Sequence, residues 1–191
     1  MRALHVNGAP SSDYDLNKAI SLPPDRTLKP AAVLIGVEEG PQGPRVVLTK
    51  RASALKHHPG QIAFPGGKQD AGDQTLDHTA LREAREEIGL PESHVDILGQ
   101  LPAHETVTGF QVTPVLALVR PGFPETPEIG EVAEVFRVPL DHVLNPDNFL
   151  IEGRYWQGHM RRYYIVPYGP YYIWGATARM LRALADRMQG L

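Results

Sequence analysis

Cysteine is absent from the 191-residue chain, which removes disulfides, thiolate metal sites and cysteine nucleophiles together. A reducing, cytoplasmic setting fits that composition. A basic surplus is lacking as well. Nineteen Lys and Arg stand against 22 Asp and Glu, for a net charge of −3, so the electrostatic footprint of a nucleic-acid binder is missing. No apolar run approaches the roughly 18 residues needed to span a bilayer. Residues 1–8 hold no apolar core of signal-peptide length, and the closing Gln189-Gly190-Leu191 is not a peroxisomal tripeptide. These absences lead to the expectation of a soluble, cytoplasmic domain without nucleic-acid or membrane partners.

What is present suits one packed domain with many turns. The hydrophobic fraction of 42% is enough for a core, and 18 Gly with 18 Pro imply short strands between loops. Residues 1–28 mix Pro, Asp and Ser and read as an arm; residues 29–191 read as the domain. Apolar, β-branched runs predict strands at 31–37, 45–50, 61–64, 95–98, 110–119 and 132–138, with late strands around Tyr155 and 163–166. Pro65-Gly66-Gly67 reads as the loop that stops the third strand. A helix is predicted from Leu76 to Ile88, capped by Gly89 with Pro91 beyond. A closing helix spans 175–188, with Ala178, Leu181, Leu184, Ala185 and Met188 on one stripe. The fold class is therefore α+β, a sheet with helices on its faces.

Chemistry concentrates in Arg82-Glu83-Ala84-Arg85-Glu86-Glu87-Ile88-Gly89-Leu90. At about 100° per residue, Glu83, Glu86 and Glu87 share one exposed sector, and Leu81, Ala84 and Ile88 the other. Carboxylates one turn apart repel. A hard cation with oxygen ligands, Mg²⁺ or Mn²⁺, would relieve them. On their own, three glutamates read more readily as a solvated acidic face. The preceding strand and Gly-rich loop change that reading, because glycines let backbone N–H groups approach an anion.

These residues resemble the Nudix box: Gly, five residues, Glu, seven residues, then Arg-Glu-apolar-x-Glu-Glu-x-Gly-apolar. The second half matches fully, from Arg82 through Leu90. The first half departs: one extra residue separates Gly67 from Arg82, and Asp73 stands near the first Glu position. Leu48-Thr49-Lys50-Arg51, Leu55, His58, Gly60-Gln61-Ile62-Ala63-Phe64-Pro65-Gly66-Gly67-Lys68, Asp70 and Asp73 resemble the coenzyme A pyrophosphatase branch, which carries the same insertion. Ala52 stands where that branch usually has Ser. The likeness covers roughly residues 29–184.

The resemblance implies an α/β/α sandwich with a mixed sheet and a catalytic strand–loop–helix. It also implies metal-dependent hydrolysis of coenzyme A to 4′-phosphopantetheine and adenosine 3′,5′-bisphosphate. Metal would be held by Glu83, Glu87 and Glu86, with Arg82 orienting Glu86. Glu86, Glu131 and Glu134 compete as general base, Glu131 being the preferred carboxylate outside the box. Arg51, His58, Gly66 and Gly67 are the candidate substrate-binding residues, with His57 a weaker one. Pairing into a homodimer belongs to the same implication. Other nucleoside diphosphate derivatives, such as ADP-ribose or a dinucleotide, and a non-catalytic nucleotide-binding module are the alternatives. The rings at Tyr163, Tyr164, Tyr168, Tyr171, Tyr172 and Trp174 read as packing more readily than as base stacking. Arg161-Arg162 could bind a phosphate, but reads more readily as an exposed basic pair without a specific role.

Overall fold

The computed structural model describes residues 9–20, 23, 25–55, 58–156 and 158–190, with the side chains of Trp156 and His159 outside the description. His57 lies outside the described residues. The elements in chain order are β1 (Ser11–Ser12), β2 (Lys29–Gly40), β3 (Gly43–Arg51), β4 (Ile62–Ala63), β5 (Gly66–Lys68), α1 (Leu76–Ile88), β6 (Val95–Gln100), β7 (His104–Glu105), β8 (Phe110–Val119), β9 (Val132–Pro139), α2 (Leu140–Leu144), β10 (Leu150–Trp156), β11 (His159–Ile165) and α3 (Gly175–Gln189).

The central sheet is mixed. β2 runs parallel to β8 and antiparallel to β3 and β5, while β9 and β4 pair with β3 and β6 pairs with β8. The alternation of strand side chains divides the core into two layers. On one face Ile35, Val37, Val46, Leu48 and Leu116 pack with Ala178, Leu181, Leu184 and Ala185 of α3. On the other face Leu34, Val47, Val115, Ala117 and Val119 pack with Ala80, Ala84 and Ile88 of α1. The sheet is thus covered by a helix on each side, the α/β/α sandwich expected for this α+β chain. Among the described residues no helix is long and apolar enough to cross a membrane.

One sequence expectation changes. Gly66-Gly67 does not end in a loop: Gly66, Gly67 and Lys68 form β5, paired with Val33, Ala32 and Ala31. Glycine there is required by close approach, since a Cβ on Gly66 would lie 2.4 Å from the Ala32 carbonyl oxygen. Within residues 1–28, Ser11 and Ser12 pair in parallel with His104 and Glu105 at the edge of the sheet.

The boundaries of α1 follow local rules. The Thr75 side chain accepts from the His78 N–H at its start, and Gly89 ends it at φ 73°. The last carbonyls are met from outside the helix: Thr126 N–H donates to Ile88 O at 3.1 Å and Glu128 N–H to Glu87 O at 3.0 Å. These bonds bind the segment before β9 to the carboxyl end of α1. A Cβ on Gly89 would fall 2.0 Å from Thr126 Oγ1. Gly89→Ala is therefore expected to lower unfolding stability by about 2 kcal/mol or more, read as a reduced urea midpoint with an unchanged slope.

Candidate active site

The three glutamates expected on one exposed face are graded in burial. Glu87 is only 5% exposed, the Glu83 side chain is 16% exposed and that of Glu86 53%. The cause is β5, which lies against α1. Gly66 N–H donates to Glu87 Oε2 at 3.1 Å, and a Cβ on Gly67 would meet Glu83 Oε1 at 2.4 Å. The Gly66 amide, expected to face an anionic ligand, is spent on holding Glu87.

Arg82 sits at the centre of the acidic group. Its Nε and Nη2 donate to the two Asp73 oxygens at 3.0 and 2.9 Å, and Nη2 also donates to Lys68 O at 3.2 Å. Its Nη1 reaches Glu83 Oε1 and Glu86 Oε2, both at 3.0 Å. Asp73 is itself fixed by the Thr79 hydroxyl and the Asp70 N–H, each at 3.0 Å. The Asp73 carboxyl is consequently held well below the usual range, first by the bonds from Arg82 and then by the Asp70 backbone. Asp73 near the first Glu position of the motif is thus the anchor of Arg82, a function its irregular spacing concealed.

Burial pushes Glu87 up to about 7, against the lowering bond from Gly66, with Glu83 adding repulsion, Arg51 relieving it and Glu131 adding more. Desolvation likewise raises Glu83, countered by Arg82. Two desolvated carboxylates one turn apart are oxygen donors of the kind a hard divalent cation takes, so the residues fit Mg²⁺ or Mn²⁺ in chemistry. Among the described residues, however, no group of three or more His, Asp or Glu is gathered as a ready metal cage. Arg82 draws Glu83 and Glu86 while Gly66 holds Glu87, so the expected trio does not converge by itself.

A cavity of about 510 Å³ opens beside this group, and Arg51, His58, Gly66 and Gly67 all line it. That volume is within the range of small-molecule sites. Arg51 Nη1 lies 3.9 Å from Glu87 Oε1, and its Nε is buried without a hydrogen-bond partner among the described residues. His58 has φ 55°, the single positive value for a non-glycine among the described residues; strain of this kind concentrates at functional sites. Glu131 is exposed, and its carbonyl accepts from Ala52 N–H at 2.8 Å, beside Arg51. Glu134 is engaged elsewhere, accepting from the Tyr171 hydroxyl. The aromatic cluster divides: Tyr171 stacks on Phe136, with centroids 3.7 Å apart, while Tyr163 and Trp174 line the cavity.

The NUDIX domain family matches residues 27–157 of this chain. The protein belongs to the Nudix family. The uncharacterized Nudix hydrolase NudL of Salmonella dublin is 42% identical over 178 residues, covering 91% of this chain and 92% of the relative. NudL of Salmonella newport is 44% identical over 155 residues, covering 81% and 80%. Among solved structures, the Nudix hydrolase RenU of M. smegmatis superposes with a TM-score of 0.52 at 27% identity, covering 61% of this chain and 74% of that one. The MutT protein of Methanosarcina mazei Go1 shares the fold, with a TM-score of 0.54 at 21% identity over 88% and 99% of the chains. In this Nudix domain the second half of the box is the helix α1, and the irregular first half is the turn that anchors Arg82.

The Asp73–Arg82 brace makes a testable claim about acid stability. A carboxyl whose folded value is depressed contributes stability that is complete above its ordinary value of 3.8 and lost as pH falls through the folded value. Asp73→Asn is expected to cost about 2 kcal/mol at neutral pH, with the gap to wild type closing below about pH 3. Urea titrations from neutral to acid pH would measure it; a gap independent of pH would contradict the brace.

Proposed function

We propose that this Nudix protein hydrolyses the diphosphate bond of a nucleoside diphosphate derivative, with coenzyme A or a coenzyme A derivative as that substrate. The observation that supports the reading best is the cavity itself, which gathers Arg51, His58, Gly66 and Gly67 beside the buried end of the glutamate helix. Coenzyme A is favoured over ADP-ribose and dinucleotides by the run from Leu48 to Asp73, whose residues resemble the coenzyme A branch. A non-catalytic module is disfavoured by the cost of burying Glu87: a domain that only bound nucleotide would gain nothing from a desolvated carboxylate beside Glu83.

A diphosphate resists attack because its oxygens repel a nucleophile, so the site must neutralise charge and place a water. Bound at Glu83 and Glu87, Mg²⁺ or Mn²⁺ would supply that neutralisation and a more acidic water. Arg51, on the cavity wall, binds a phosphate oxygen through the fork that includes its buried Nε. Gly67 leaves room for Glu83, and the Gly66 amide orients Glu87. Arg82 fixes the Glu86 carboxylate, which stays exposed enough to meet water and take a proton from it. Glu131, close enough to Glu87 to oppose its ionisation, is the second candidate base. His58, which lines the cavity, is a substrate contact.

The test is product chromatography with mass detection after incubation with coenzyme A and Mg²⁺ or Mn²⁺, with ADP-ribose as a parallel substrate. Metal-dependent 4′-phosphopantetheine and adenosine 3′,5′-bisphosphate are expected, abolished by a chelator and reduced about 100-fold or more in Glu86→Gln. Gly67→Ala, which crowds Glu83, is expected to lose about 100-fold in kcat/KM through misplacement alone, with little change in urea midpoint. Intact coenzyme A alongside cleaved ADP-ribose would discard the substrate and keep the reaction. No cleavage of either by folded protein would discard both.

A further inference from the structure

The β10–β11 hairpin opposes two arginines. Arg154 and Arg161 are direct cross-strand partners, a placement in which like charges repel. Both line the same cavity as Arg51 and Gly66. Asp13, also on the cavity wall, answers one of them, with Oδ2 3.3 Å from Arg161 Nη2. That carboxylate is shared further, accepting from Val107 N–H at 2.9 Å and meeting His104 Nε2 at 3.3 Å. Glu152, two residues before Arg154 on the same side of the strand, accepts instead from the Tyr172 hydroxyl at 2.6 Å. Among the described residues no carboxylate pairs with Arg154; its guanidinium lies over the Trp174 ring, 5.9 Å from the centroid. Trp174 meets Tyr163 edge-on at 5.2 Å, and both rings line the cavity. This part of the cavity therefore combines surplus positive charge with flat aromatic surface, separately from the carboxylates of α1.

We propose that Arg154 and Arg161 form a second phosphate subsite, binding a phosphomonoester on the nucleotide half of the substrate beside the Tyr163–Trp174 rings. The proposal rests on the diphosphatase reading and refines it: the preferred substrates carry a third phosphate in addition to the scissile diphosphate. A phosphate dianion between the two guanidinium groups turns their repulsion into paired, charge-assisted hydrogen bonds. The Asp13 contact keeps Arg161 in place for this, and the open side of Arg154 admits the ligand.

The experiment compares kcat/KM for coenzyme A and for its 3′-dephospho form in wild type, Arg154→Gln, Arg154→Lys and Arg162→Gln. Arg162 is a control, since it follows Arg161 on β11 but does not line the cavity. Wild type is expected to favour the 3′-phosphorylated substrate by about 10-fold or more. The ratio should fall to near unity in Arg154→Gln, recover in part in Arg154→Lys and persist in Arg162→Gln. A wild-type ratio near unity, or an undiminished ratio in Arg154→Gln, overturns the subsite. If neither coenzyme is cleaved, the substrate reading fails separately. Calorimetric titration with adenosine 3′,5′-bisphosphate and with AMP then decides the subsite. Tighter binding of the bisphosphate, lost in Arg154→Gln, supports it; equal binding of the two overturns it.

Discussion

The placement of acid groups on α1 depends on the guanidinium of Arg82. Four carboxylates, those of Asp70, Asp73, Glu83 and Glu86, lie within 4 Å of it, and their mutual repulsion would splay the side chains if the cation were free to move. It is not free, because Asp73 grips it with both oxygens and is itself tied to Thr79 and to the Asp70 amide. Glu83 and Glu86 take their positions from a cation that the preceding turn has already placed. Glu87 is positioned by a different device, the Gly66 amide. Two adjacent glutamates therefore differ in their access to solvent although they are chemically the same, Glu87 being enclosed and Glu86 open.

Much of this was legible in the chain. The helix from Leu76 to Ile88 carried its own boundary signals, a Thr before it and a Gly after it, and those signals act locally. A sheet with helices on its faces was legible from the apolar runs at 31–37 and 45–50 and from the apolar stripe of 175–188. Arg51, His58, Gly66 and Gly67 were named from motif likeness, and they share one cavity wall. What the chain concealed was set by distant partners. Gly66 and Gly67 resemble a loop by composition and become a strand because Ala31–Val33 lies alongside. The burial of Glu87 comes from the same neighbour, so helical periodicity alone made it appear exposed. Asp73 was visible only as a misfit in spacing.

The arginines of β10 and β11 illustrate the same limit from the other direction. Arg161-Arg162 reads as a uniform basic pair, yet strand alternation sends the two side chains to opposite faces. Arg161 meets Asp13, almost 150 positions earlier in the chain, whereas the Arg162 amide donates to Asn17. Arg154 acquires its setting from a tryptophan in the lead-in to α3. Among the described residues the cavity wall carries Arg51, Lys68, Arg154 and Arg161 against a single carboxylate, Asp13.

The parallel pairing of β2 with β8 joins segments some 80 residues apart, and the wall formed by Asp13 and Arg161 closes a still longer loop. Such contacts form only after the entropy of closing those loops has been met. During synthesis α1 emerges and can coil on local signals well before β8, the hairpin and α3 exist. Its glutamates are then ordinary solvated acids on a peptide. The unusual proton affinity of Glu87 is a product of assembly, acquired when β5 and the central sheet enclose it, so a half-made chain carries the motif without yet carrying its chemistry.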